Sequence, residues 1–395
     1  MILSASRRTD LPNYYSDWFL NRVKEGFLDV RNPFNAGQIS RISLAPEAVD
    51  CIVFWTKNPG PMLGRLDELS AYDFYFQFTL TGYGPDVEAG LPDKQRVLIP
   101  TFKQLARELG FGRVLVLSTG LFGEGFGDMA KALGCEIRVL DFGYDETIHD
   151  FDVVEKAIVE FKPKMITMVQ NETPSGTTNP VKEIGDLKVK YGVPLLCVDI
   201  VSGLGGTPIH VDDWHVDFAL GGSQKCLSAP ANMSFLSVSE EAWKIVEEVN
   251  YAGYEALLPF RNVTETGYFP YTPYWQGTAQ LHKACELIFE EGLESCIARH
   301  EKVAIYCRER IKEMGLKIYP VKGAVCSPTV TAVYVPEHMT WERLDSELRV
   351  QGMVVGGNYG KLAGKVFRIG HMGSQANINL IKEAMDILET VVHDI

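Results

Sequence analysis

The sequence predicts an α/β protein in three parts. These are an N-terminal α/β segment (1–110), a large domain (111–256) built on a mainly parallel sheet with helices on both faces, and an α+β C-terminal domain (257–395). Three observations predict this. From Arg113 to Asp199, apolar runs of strand length alternate with helical periodicity, the order that builds a parallel sheet covered on both sides. From about residue 257, long helical stretches lie beside a few short strands. Residues 1–110 run β-α-β-β-β-α, the start of a partial barrel-like or open-sheet arrangement.

Composition narrows the function classes. The 395 residues suffice for two or three domains. A 46% hydrophobic content with mixed charge is that of an ordinary globular chain. The net charge of −13 argues against nucleic acid or an anionic membrane as partner. The longest apolar runs are strand-length, so no membrane span is expected. Met1–Thr9 has no apolar stretch, so no signal peptide is expected. The eight cysteines (51, 135, 197, 226, 285, 296, 307, 326) are scattered without a CxxC pair. That fits a reducing cytoplasm better than a disulfide framework or a zinc ribbon.

In the N-terminal segment, Ile2–Ser6 predicts a strand that runs into Arg7-Arg8-Thr9-Asp10. Trp18, Phe19 and Val23 make Tyr14–Glu25 an amphipathic helix. Ile39–Leu44, Asp50–Trp55 and Asp73–Thr81 predict strands, and Ile99–Leu109 a helix. Arg7, Arg8, Asp10, Lys57 and Asn58 fall at or just past strand ends, where ligands bind in α/β folds. They form either an anion or substrate site or a set of ion pairs tying those ends together.

The large domain begins with the strand Arg113–Ser118, a turn at Gly120–Glu124 and a helix from Phe126 to Leu133. The strands Glu136–Asp141, Lys164–Gln170 and Pro194–Asp199 then alternate with the helices Phe151–Phe161 and Val181–Tyr191, and Asp150 or Asp152 caps the first helix. Asp217–Gly222 and Met233–Val238 complete the sheet. In the C-terminal domain, Gln280–Met314 is helical with a break at Gly292, and Trp341–Gln351 and Ile378–His393 are helices. Lys317–Tyr319, Thr329–Val335, Met353–Val355 and Val366–Ile369 predict short strands of a mainly antiparallel sheet.

The chemistry centres on Val198–Pro230. Lys225 follows an apolar run among small and polar neighbours, and a lysine so placed can form a Schiff base with an aldehyde. Asp199 ends another run, where a carboxylate can pair with a protonated pyridine nitrogen and keep the ring electron-poor. Together they read as the two ends of a pyridoxal 5'-phosphate (PLP) site. Taken singly, Lys225 reads as a solvated surface lysine and Asp199 as a helix cap or a loop hydrogen bond. Phe122, between Gly120 and Gly123, could stack on a ring or simply pack in the turn. Thr173 and Ser175 could donate to a ring hydroxyl or serve turn chemistry. Arg368 could grip a substrate carboxylate or form a structural ion pair.

Two resemblances follow from longer motifs. SASRRTD (4–10), VRNPFNAGQISRISL (30–44), DCIVFWTKNP (50–59) and YFQFTLTGYG (75–84) are similar to an uncharacterised, barrel-like bacterial family. Members of that family carry a cysteine cluster near the C-terminus that suggests an iron–sulfur site. This chain has no such cluster, so that chemistry is expected to be absent.

The second set is RVLVLSTGLFGE (113–124), NETPSGTTNP (171–180), VDIVSGLGGTPI (198–209), GSQKCLSAP (222–230), RHEKVA (299–304), PTVTAVYVP (328–336) and GKVFRIGHMG (364–373). Through these, residues from about 112 to 395 resemble class V aminotransferases of PLP fold type I, of the alanine–glyoxylate and serine–pyruvate transaminase kind. The resemblance implies that Lys225 holds the cofactor aldehyde, Asp199 pairs the ring nitrogen and Phe122 stacks on the ring. It further implies that Gln224 contacts the phosphate, Thr272 reaches the phosphate of a neighbouring subunit and Arg368 binds the amino-acid carboxylate. Pro174 stands where the family has a serine, so Thr173 or Ser175 supplies that hydrogen bond.

Members of that family open with about a hundred further residues, including a small-residue loop whose amides hold the phosphate at a helix N-terminus. Here the SASRRTD segment stands in that place, and Thr79–Gly84 is the nearest loop of that type. The chain therefore reads as a fusion of two partial domains. The implied function is a PLP-dependent transaminase, a cytoplasmic homodimer that moves an amino group from alanine or serine to glyoxylate or pyruvate. Two other readings stay open. One is a truncated or chimeric non-catalytic remnant with weak PLP binding. The other is a PLP lyase or desulfurase using Cys326.

Overall fold

The computed structural model describes residues 112–251 and 256–393 together with four strands near the N-terminus. The chain divides into two compact units, Met1–Glu108 with Tyr251–Ala256 and Leu109–Asn250 with Leu257–Ile395.

The first unit contains β1 (Ile2–Arg7), β2 (Ile39–Arg41), β3 (Asp50–Trp55) and β4 (Phe76–Thr79), in sheet order β2-β3-β1-β4. β1 pairs antiparallel with β3 from Ile2↔Trp55 to Arg7↔Asp50, and antiparallel with β4 from Ile2↔Thr79. Among these four strands the pairing is that of an open antiparallel sheet; a βα barrel pairs its strands in parallel. Arg7 ends β1, whereas Arg8, Asp10, Lys57, Asn58, the loop Thr79–Gly84 past its first residue and the two predicted helices lie outside the described residues.

The second unit is built on a six-stranded sheet. Its strands are β5 (Arg113–Ser118), β6 (Glu136–Asp141), β7 (Met165–Val169), β10 (Leu195–Asp199), β11 (Phe218–Gly222) and β12 (Ser234–Val238). A small hairpin, β8 (Asn171–Glu172) with β9 (Thr177–Thr178), follows β7. The order is β12-β11-β10-β7-β5-β6; every pair is parallel except β11 with β12. β5 and β7 are almost continuously buried, the mark of strands covered on both faces.

The covering helices are α1 (Leu121–Ala132), α2 (Phe151–Phe161), α3 (Val181–Lys190) and α4 (Glu240–Val249). α2 buries Val154, Ala157, Ile158 and Phe161, one stripe at helical spacing, against Leu115, Ile166 and Leu196 of the core. It starts where the Asp150 side chain accepts from the Val153 amide (3.1 Å), so Asp150 rather than Asp152 is the cap. Ser239 caps α4 in the same way, accepting from the Ala242 amide at 3.0 Å.

The remainder comprises α5 (Val263–Thr266), α6 (Trp275–Glu291), α7 (Leu293–Glu313), β13 (Val330–Tyr334), α8 (Trp341–Val350), β14 (Val366–Gly370) and α9 (Ile378–His393). β13 and β14 pair antiparallel from Val330↔Gly370 to Tyr334↔Val366. Their second core gathers Ile311, Val333, Leu344, Leu348, Phe367, Met385 and Leu388. The strand predicted at Lys317–Tyr319 shrinks to a single bridge, Ile318↔Val333, and Met353–Val355 is not a strand, the bridge there being Gly356↔Arg368 just past its end. Among the described residues no helix is long and apolar enough to cross a membrane.

Candidate active site

β5 continues rightward to β6, while β7, β10 and β11 extend the sheet leftward, so the strand order reverses between β5 and β7. In open parallel sheets the crevice past the carboxyl ends at such a reversal is the natural ligand site. Phe122 follows β5, Thr173 follows β7, Asp199 ends β10 and Lys225 follows β11. Four of the predicted residues thus fall at one edge of one sheet.

Asp199 is half-buried, and its Oδ1 accepts from the Val201 amide at 2.8 Å. Burial pushes its carboxyl up, opposed by that hydrogen bond and by the charge of Lys225. Oδ2 has no hydrogen-bond partner among the described residues. Lys225 is half-buried and feels Asp199 without forming an ion pair among the described residues.

The Lys225 loop is fixed on either side of the lysine. The Ser223 hydroxyl donates to Pro230 O (2.5 Å), the Ser228 amide donates to Lys225 O (2.9 Å), and Cys226 and Leu227 are buried. Gly206 allows this loop to sit against the one after Asp199, since a Cβ there would lie 2.8 Å from Cys226 Sγ.

Thr173 is buried, and its hydroxyl has no hydrogen-bond partner among the described residues. Ser175 is fully buried and spends its hydroxyl on Thr119 O at 3.3 Å. Of the two, Thr173 is the free donor. The Phe122 ring is 44% exposed, an open apolar face at the mouth of the crevice.

Arg368 lies on β14. Its Nε donates to Gly357 O (2.9 Å) and its guanidinium sits 4.9 Å from the Tyr359 ring centroid. Nη1 and Nη2 have no acceptor among the described residues, which leaves the two-pronged end free for a carboxylate. Gln224 is exposed beside Lys225, and Thr272 is exposed in the loop before α6.

This donor set fits the ring end of PLP: an unpaired carboxylate oxygen, an amine, an unpaired hydroxyl and an exposed aromatic face around one crevice. Cys326 is less suited to a mobile nucleophile. Its backbone bridges to Thr177, and the next amide, Ser327 N, donates to Gly176 O at 2.8 Å.

The sequence reading passed over Glu172. This carboxylate is 0% exposed and accepts from the amides of Phe122 (Oε1, 2.9 Å) and Gly123 (Oε2, 3.1 Å). Burial pushes its pKa up to about 7, with the two amides pulling it down and the charges of Asp199 and Glu124 adding to the rise. It also explains why α1 starts at Leu121 and not at Phe126: the carboxylate takes up amides that would otherwise be orphaned. The available signal was a helix start at Gly120 with no Ser, Asp or Asn to cap it.

The segment Gly356–Leu362 was also missed. From it, Asn358 Nδ2 donates to Pro174 O (2.8 Å) and Lys361 pairs with Glu124 (3.3 Å). Both are long-range contacts that leave no local pattern.

A fold-type-I sheet with an aspartate and a lysine at its carboxyl edge defines the class. Residues 126–373 match the family described as aminotransferase class-V, and residues 2–116 match a domain of unknown function, DUF1848. An uncharacterised aminotransferase of Methanocaldococcus jannaschii is 37% identical over 266 residues, 66% of this chain and 68% of that protein. A serine–glyoxylate aminotransferase of Methylorubrum extorquens is 32% identical over 279 residues, 68% of this chain and 69% of that protein. The crystal structure of pyridoxamine–pyruvate aminotransferase from Mesorhizobium loti superposes with a TM-score of 0.68 at 28% identity, covering 80% of this chain and 87% of that one. The chain belongs to the class V aminotransferase family, whose members are PLP-dependent enzymes of fold type I.

Proposed function

We infer that this chain moves the amino group of a small amino acid, alanine or serine, to a 2-oxo acid such as glyoxylate or pyruvate. The single observation that supports this best is the convergence of Asp199, Lys225, Thr173 and Phe122 on one sheet edge, with Asp199 Oδ2 and the Thr173 hydroxyl left unpaired among the described residues. PLP, when bound, supplies an electron-poor ring that makes the proton on the substrate α-carbon acidic.

The chain's own residues do the rest. Lys225 would hold the cofactor aldehyde, and its amine would move the α-carbon proton as a general acid–base. Asp199 would balance a positive ring nitrogen, and the Thr173 hydroxyl would hold the ring oxygen. Phe122 covers one ring face and keeps water from it. Arg368 orients the substrate through its carboxylate, using Nη1 and Nη2. Gln224 is assigned to the phosphate.

We assign ring binding to a domain over 111–256 and the carboxylate grip to 257–395. In support, one core draws on Leu115 to Ala219 and the other on Val303 to Val392. A homodimer is supported by the exposed run Tyr268, Phe269, Tyr274 and Trp275 around Thr272, which would bring Thr272 to a partner's phosphate. Sedimentation at twice the chain mass is the expected result.

The deciding experiment titrates the full chain with PLP, follows the visible band, fixes it with borohydride and maps the modified peptide. Saturation with label on Lys225, followed by amino transfer from alanine or serine to glyoxylate or pyruvate, supports the reading. No saturable band and no label overturns it in favour of a non-catalytic remnant.

A further inference from the structure

The ring-facing residues do not hold themselves in place. Phe122 has 44% of its surface exposed, so its side chain has too little packing to set its orientation, and its backbone must do so. That backbone belongs to the first turn of α1, whose N-terminal residue Gly120 is extended and offers no side-chain cap. The cap arrives from 50 residues away. Glu172 Oε1 accepts from Phe122 N and Oε2 from Gly123 N, so both carboxylate oxygens serve this one turn. Among the described residues no lysine, arginine or histidine pairs with Glu172, so its carboxyl oxygens are matched by these amides and the positive end of the helix. Room for it exists because residue 120 is glycine; a Cβ there would lie 2.3 Å from Glu172 Cγ.

The same residue governs the neighbouring turn. Glu172 O accepts from Ser175 N (3.2 Å) and Gly176 N (2.9 Å), which folds the chain back immediately after Thr173. Two further links join the turns: Ser175 Oγ donates to Thr119 O (3.3 Å) and Asn179 Nδ2 donates to Thr119 Oγ1 (2.8 Å). One buried carboxylate therefore sits between the residue that offers a ring face and the residue that offers a free hydroxyl.

We propose that Glu172 is a positioning residue: by clamping the Phe122 turn to the Thr173 turn, it sets the stacking face and the hydroxyl donor as one rigid unit around the cofactor ring. This deepens the transaminase reading and rests on it. A helix cap with no such role would affect stability alone, so the test separates the two.

Three variants of the full chain are compared with the natural protein for PLP dissociation constant, for circular dichroism of the bound-cofactor band per mole of label fixed on Lys225, and for thermal unfolding. Glu172→Gln keeps the size but turns an amide NH2 toward one of the two N–H donors. Gly120→Ala leaves the glutamate intact and drives a methyl into it. Asp150→Ala removes the cap of α2, which bonds the Val153 amide and no group of the Phe122 or Thr173 turns.

The expected result is that Glu172→Gln and Gly120→Ala each weaken PLP binding about tenfold, or about 1.4 kcal/mol, and reduce the dichroism per label. Asp150→Ala is expected to lower the unfolding temperature and leave both cofactor readouts unchanged. Equal PLP affinity and dichroism in Glu172→Gln and the natural chain overturn the proposal, as does an equal cofactor effect from Asp150→Ala. Should either site variant fail to fold, the other carries the test. If neither folds while Asp150→Ala does, Glu172 is a folding determinant and the positioning role is rejected. Failure of the natural chain itself to saturate with PLP is a separate outcome, which removes the transaminase reading and this inference with it.

Discussion

Asp199 and Glu172 are both carboxylates at the carboxyl edge of the sheet, and burial raises both, yet they are committed differently. Glu172 gives each oxygen to a backbone amide, so it is structurally spent. Asp199 gives one oxygen to Val201 N and keeps the other, with the charge of Lys225 nearby, so it can still take a cationic partner. Arg368 follows the same logic: Nε is used on Gly357 O, and among the described residues the outer nitrogens have no acceptor. A lysine there keeps the charge but loses the flat two-pronged geometry. Arg368→Lys is therefore expected to lower kcat/KM for the amino donor roughly 10- to 100-fold, mostly through KM, the scale of one or two charge-assisted hydrogen bonds. The PLP band and its fixation at Lys225 should not change. Steady-state kinetics over a donor series checks this, and an unaltered KM would assign the carboxylate to another residue.

Among the elements, the sheet depends on one buried pair. Asp217, 3% exposed just before β11, accepts from Lys188 of α3 (2.8 Å), from Leu196 N of β10 (2.6 Å) and from Ser239 Oγ at the start of α4 (2.8 Å). Removing the carboxylate leaves a buried ammonium with only His215 O (3.3 Å) and deprives two further donors at once, whereas removing the lysine leaves Asp217 with its two other donors. Asp217→Ala should lower unfolding free energy by about 3–5 kcal/mol, and Lys188→Met by clearly less. Urea titration of both variants checks the order, and a reversed order would discard this account.

None of that network was legible in the sequence, where Asp217 reads as the first residue of a strand. Strands and helices were legible because their apolar spacing is local: α2, α9 and β5 fall within a residue or so of the predicted ends. Glu172 was not, because its partners lie 49 and 50 residues earlier and are backbone amides, which every residue possesses. The candidate site residues that could be read are those whose type is itself the signal, a lysine and an aspartate closing apolar runs.

At the scale of the whole second unit, a pair of fully buried histidines ties separate elements together. His371, just after β14, donates from Nδ1 to Pro328 O (3.1 Å) and accepts at Nε2 from the Thr331 hydroxyl (2.9 Å), joining the ends of the two C-terminal strands. His300, in α7, bonds Cys296 O (2.8 Å) and accepts from Gly373 N (2.8 Å), linking α7 to the chain after β14. The His300 pattern requires a neutral ring, because Nε2 must accept from a backbone amide, and burial pushes both pKa values down, His371 to about 3 from 6.5.

The sign follows from proton counting. The unfolded chain binds a proton near pH 6.5 and the folded ring does not, so below 6.5 protonation favours the unfolded state. The stabilisation is complete above 6.5 and drains as pH falls toward the folded value, by about 1.4 kcal/mol per pH unit for each such group. Glu172, raised by burial, works in the opposite sense over its own range, so the wild-type profile alone mixes the two contributions. The difference between wild type and His371→Gln isolates the histidine, because every other titrating group is common to both proteins. At pH 7.5 the variant should be the less stable, having lost the imidazole packing. Between pH 6.5 and 5 the gap should close by about 2 kcal/mol, since only the wild type has that ring to protonate on unfolding. Urea midpoints at pH 7.5, 6.5 and 5 with an unchanged denaturant slope would establish it. Parallel stability curves for the two proteins would mean that His371 titrates in the fold as it does in the unfolded chain.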